Sequence, residues 1–118
     1  MGTSYGAGRR LEDKLKVTYD FVRIINNIIK NKKNSDNYYS KIYINRLGRH
    51  ATELAEAYER VHGRPSSELR IPIQNIVNLI REILDKKDVL KAAKKLKELE
   101  RLLKQAVEIA KIELSEAA

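Results

Sequence analysis

A chain of 118 residues with 24 Lys/Arg, 16 Asp/Glu, no cysteine and no tryptophan has room for one domain around one core. The missing cysteines exclude disulfides and thiolate metal sites, and no apolar run approaches the ~18 residues a membrane helix needs. The opening MGTSYGAGRRLED lacks the apolar stretch of a signal peptide, so a cytoplasmic location is expected.

Two prolines, five glycines and abundant Leu, Ile, Ala, Lys and Glu point to an all-α single-domain bundle. A single phenylalanine makes the core aliphatic. The net charge of +8 is unevenly placed: residues 1–50 hold eleven Lys/Arg against Glu12, Asp13, Asp20 and Asp36, and residues 51–118 hold thirteen against twelve acids. The halves thus carry +7 and +1, and such an excess calls for a polyanionic partner. A membrane surface fits less well, because the apolar stripes leave no face to spare.

In chain order, residues 1–9 read as a flexible basic tail and residues 10–118 as the bundle. Leu11, Leu15, Val22, Ile25 and Ile29 recur at helical spacing and predict a first helix over about 10–31. The polar run KNKKNSDN breaks it. Tyr39, Tyr43, Leu47, Ala51, Leu54, Tyr58 and Val61 step by threes and fours, so a second helix is expected over about 38–62. Gly63 then stands where a left-handed cap belongs, with Pro65 beyond it and His62 in the last turn. Pro72 suits the first position of a third helix, which Ile73, Ile76, Val77, Ile80, Ile83 and Leu84 carry to about 86. Asp88 is the expected N-cap of a last helix holding Val89, Ala93, Leu96, Leu103, Ala106, Val107, Ala110 and Leu114. Four such helices joined by short loops pack as mostly antiparallel neighbours.

Catalytic patterns are missing. GAGRR has neither the preceding strand nor the lysine of a phosphate loop, and His50 and His62 alone make a poor metal set. Arg46 and His50 stand closer together than the Arg and His of helical HEPN ribonucleases. The serines lack a nucleophile elbow. Glu53, Glu56 and Glu59 read as a solvated helix face, with Glu56 and Arg60 spaced as a surface pair. No enzyme activity, cofactor, metal or small-molecule substrate is expected.

Polyanion binding remains. Lys41, Asn45 and Arg49 share one side of the second helix, Arg46 and His50 flank its apolar stripe, and Arg64 and Arg70 follow across the next connection. Lys87, Lys94 and Arg101, with Lys91, form a second row on the last helix. Such rows track a phosphate backbone without reading bases. The expected nucleic-acid-binding residues are Lys41, Arg46, Arg49, His50, Arg64 and Arg70.

AYERVHGR at 57–64, followed by IPIQNIV, the Lys-rich break LDKKDV and the closing LKELERLLKQAVEIAKIE, resembles the small helical subunit of the Csm complexes, the type III-A CRISPR effectors of antiviral defence. The resemblance spans about residues 11–114. It implies a non-catalytic subunit that stacks head to tail along a guide–target RNA duplex, beside other effector subunits, and holds the RNA backbone through basic side chains. Tyr58, Glu59, Gly63 and Arg64 carry the local likeness, and Arg64 is the RNA contact it implies. Two other readings fit the same helices: a DNA- or template-binding accessory domain like those of archaeal plasmid primases, and a protein-interaction or designed bundle with no nucleic-acid role.

Overall fold

The computed structural model describes residues 3–31, 37–61 and 67–116, with side chains over 9–31, 40–61 and 68–112. It holds four helices: α1 (Thr3–Asn31), α2 (Asn37–Glu59), α3 (Ser67–Lys86) and α4 (Ala93–Glu116). Each packs against two neighbours in the closed ring α1–α2–α3–α4, and no contact crosses a diagonal among the described residues. Lys14 meets Glu53 while Phe21 meets Tyr43, so α1 and α2 run antiparallel. Gly48 lies beside Leu84, and both Glu59 and Val77 line the same cleft, which fixes the same sense for α2 and α3. The expected all-α bundle is therefore the fold.

One aliphatic core runs through the ring. On α1 it takes Leu11, Leu15, Val22 and Ile25, all fully buried. Along α4 and the residue before it the stripe is Ala92, Leu96, Leu99, Leu103, Ala106 and Ala110, alternating steps of four and three. Ala92 and Leu99 thus hold core positions that the sequence reading gave to Ala93 or left out. Tyr43 and Tyr58 are half-buried against the core, as the stripe on α2 implies.

The helix boundaries differ from expectation in instructive ways. α1 begins at Thr3, so it takes in most of the segment read as a tail. Residues 3–10 contain no proline, and each glycine costs a propagating helix only about 1 kcal/mol. α3 begins at Ser67, which puts Pro72 inside the helix and not at its start. Leu69 explains this: it is fully buried and extends the stripe Ile73, Ile76, Ile80, Ile83 one turn backward. Burying a leucine contributes roughly 1.5–3 kcal/mol, comparable with the ~3 kcal/mol a proline costs inside a helix.

Asp88 does cap, but it caps a short turn ahead of α4. Its Oδ1 accepts from Leu90 N at 2.8 Å, and Ala92 N donates to the Asp88 carbonyl at 3.1 Å. Lys87, just after α3, has φ 58°, the left-handed cap conformation usually given to glycine. The last turn of α2 tightens through Val61 N to the Tyr58 carbonyl at 3.0 Å. His62, Gly63, Arg64, Pro65 and Ser66 lie outside the described residues. The expected Glu56–Arg60 side-chain pair is not formed, although Arg60 N still donates to the Glu56 carbonyl at 3.2 Å in the last turn.

The bundle also leaves an apolar face uncovered, contrary to the sequence reading. Val17, Ile24 and Ile28 are exposed along one side of α1. A helix in a four-membered ring meets two neighbours, so apolar residues beyond those two seams face outward.

Candidate nucleic-acid interface

The expected residues divide into three groups. Lys41, Arg46 and Arg49 are exposed on α2 within about 12 Å of helix axis. Among the described residues none of the three forms an ion pair or side-chain hydrogen bond. Arg70 is also exposed, but it stands in the first turn of α3. Lys41 lies beside Lys87 at the other end of α3, so seventeen residues of helix, about 26 Å, separate Arg70 from the Lys41 end. Arg64 lies outside the described residues.

His50 forms the third group by itself. It is half-buried in the α1–α2 seam, where Nδ1 lies 3.3 Å from Thr18 Oγ1. Its ring packs on Phe21 at 5.0 Å between centroids. Thr18 is fully buried, so this hydrogen bond satisfies a hydroxyl that would otherwise be stranded. Burial, then the nearby Lys14 ammonium, and to a lesser degree Arg46, hold His50 below the usual imidazole range despite Glu53. A neutral, inward-facing imidazole packs the seam and presents no cation to a phosphate.

Glu53 is the partner of Lys14 across the same seam. That hydrogen bond, with the Lys14 and Arg49 charges beside it, draws its carboxyl below the ordinary range. Glu53, four residues after Arg49, is thus already committed to α1.

The second row, around α4, is more fully neutralised. Arg101 pairs with Glu98, its Nε donating to Oε1 at 3.1 Å, and Lys95 pairs with Glu82 at 2.9 Å. Lys91 and Lys94 stay exposed and, among the described residues, unpaired. Lys87 turns out to belong to α2's surroundings: it shares with Lys41 a groove of about 470 Å³ between α2 and α3, lined also by Ile44, Asn45, Gly48 and Leu84. Sequence reasoning placed Lys87 in the α4 row. In an antiparallel pair each step forward on one helix is a step back on the other. The Gly48–Leu84 contact therefore brings the end of α3 beside the start of α2.

Among the described residues no group of His, Asp or Glu converges as a metal site requires. No described helix is long and apolar enough to cross a membrane. No family model, curated protein or solved structure matches this chain.

Proposed function

We propose that the chain is a non-catalytic RNA-binding small subunit of a CRISPR ribonucleoprotein effector, of the Csm type that its sequence resembles. In this reading the outer face of α2 holds the RNA backbone, and copies stack along the guide–target duplex beside other effector subunits. The observation that carries it is the set Lys41, Arg46 and Arg49, exposed on one helix and without ion pairs among the described residues, within the half of the chain that holds +7. Lysine and arginine rows without neutralising acids are what phosphate tracking needs. The reading gives no residue a chemical step.

Fluorescence anisotropy with short single-stranded RNA tests it. Affinity should fall as salt rises, with a log–log slope of about −0.7 per phosphate neutralised, and should vary little with base order. A salt-independent affinity overturns the proposal. A preference for DNA with a discernible motif instead favours the template-binding reading.

A further inference from the structure

Gly48 stands at the middle of α2, twelfth of its twenty-three residues. A helix interior is where glycine is least suited, by about 1 kcal/mol relative to alanine. Close packing does not require it here. A Cβ at this position would meet the Leu84 methyl groups at 3.5 and 3.6 Å, which is ordinary contact, and the backbone has no positive φ. What the glycine does is leave an opening between Ile44 and Leu84.

That opening has a definite chemistry. Its floor is Ile44, Gly48 and Leu84, an apolar strip with no side chain at its centre. Lys41 from the start of α2, Lys87 from just after α3, and Asn45 complete its lining. Among the described residues no carboxylate lines it and neither lysine is paired. Two like charges over one groove repel each other, so an anion seated between them relieves that repulsion as well as gaining two attractions. At about 470 Å³ the groove is within the size range of small-ligand sites.

Building on the RNA reading, we infer that this groove takes one unstacked nucleotide of the bound strand. The base lies on Ile44, Gly48 and Leu84, the Asn45 amide meets its edge with a donor and an acceptor, and Lys41 and Lys87 hold the phosphates on either side. An apolar body carrying negative charge at its ends matches the floor and the two lysines together, which a bare phosphate or an uncharged peptide does not. The α2 face then does more than follow the backbone: it fixes one base per copy of the subunit.

The test compares ordinary single-stranded RNA with the same strand made abasic, on the full chain and on Gly48→Met, a variant that covers the floor without changing charge. The wild type should prefer the base-bearing strand by about tenfold, in keeping with the burial of one base against an aliphatic surface, and Gly48→Met should lose that preference while binding abasic RNA as before. Gly48→Ala, which the fold accommodates without rearrangement, should give an intermediate loss and covers the case in which the methionine variant fails to fold. A readout without mutation is 4-thiouridine photocrosslinking, which should map by mass spectrometry to residues 41–48 and 84–87. Equal affinity for the two strands, a base preference that persists in both variants, or crosslinks elsewhere overturns the groove while leaving backbone binding intact. If the wild type binds neither strand, the RNA reading itself fails.

Discussion

Ser40→Ala should destabilise the bundle out of proportion to the single oxygen removed. Ser40 Oγ accepts the backbone N–H of Val89 at 3.0 Å, and both residues are buried. This bond ties the first turn of α2 to the turn that leads into α4, across 49 residues of sequence. Losing an average hydrogen bond costs about 1 kcal/mol, but a buried donor left unsatisfied costs about 1–3 kcal/mol. Alanine returns a few tenths through better helix propensity. The net loss should be about 1.5 kcal/mol.

An unfolding entropy of about 2.1 cal/mol/K per residue over 118 residues amounts to about 0.25 kcal/mol/K. The variant's Tm should therefore fall by about 6 °C, with urea unfolding showing an earlier midpoint and an unchanged slope. Thr52→Ala is the matched control. Thr52 Oγ1 donates to the Gly48 carbonyl at 3.3 Å on an exposed face, a back-bond within one helix whose loss leaves nothing buried and unpaired. That variant should be neutral or slightly more stable. Equal stability losses in the two variants would show that the Ser40–Val89 bond does not brace the α3–α4 turn.

Reversing Arg46 and Arg49 to Glu should weaken RNA binding at least tenfold, about 1.4 kcal/mol. Lys94 and Lys97, also three residues apart and unpaired, make a control with the same change in charge, and equal losses in two folded variants would refute a local interface on α2. Because the native fold holds His50 below its unfolded pKa, the unfolded chain binds the extra proton; stability is full above about pH 6.5 and falls as pH drops through the native pKa. His50→Gln should flatten that fall relative to wild type in a series of urea titrations, and Glu53 adds a separate decline only below the ordinary carboxylate range, at about pH 4.5. Lys87→Gly should raise stability by about 0.5–1 kcal/mol, since φ 58° strains any residue with a Cβ; a loss of stability in thermal unfolding would contradict that.

The number and order of the helices were legible because each carries a continuous apolar stripe at a period of 3.6, a signal that needs no partner to be read. Their ends were less legible because end signals compete with burial. Pro72 marks a start on local grounds, yet Leu69 three residues earlier is fully buried and draws the helix back to Ser67. Exposed cations could be named from the helical wheel, as Lys41, Arg46 and Arg49 were. His50 looked similar on the wheel, and only the position of Phe21 and Thr18 across the seam turned it inward. Pairings between helices leave no trace in a stripe. Lys41 with Lys87, Ser40 with Val89 and Asn26 Nδ2 with the Leu96 carbonyl (3.1 Å) all depend on inter-helix register.

The places where the chain departs from local preference are themselves informative. α1 and α4 pair their charges at helical spacing: Glu12 with Lys16, Asp20 with Arg23, Glu98 with Arg101. α2 does the reverse, setting Arg46 and Arg49 three residues apart with no acid between them, an arrangement unfavourable by a few tenths of a kcal/mol. The same helix has glycine at its centre, and the end of α3 beside it has lysine where glycine is preferred. Each departure costs the isolated fold, and alanine at 48 or glycine at 87 would remove it without disturbing the core. Natural sequences concentrate such local conflicts where a surface has a task besides folding. Three on one helix and its border distinguish this face from α4, whose lysines sit on an otherwise regular and partly neutralised helix. An interface spread evenly by net charge would give no reason for the conflicts to collect on α2 and its border. One that seats a nucleotide between Lys41 and Lys87, with Gly48 bare beneath it, accounts for the glycine and the two facing cations through one contact.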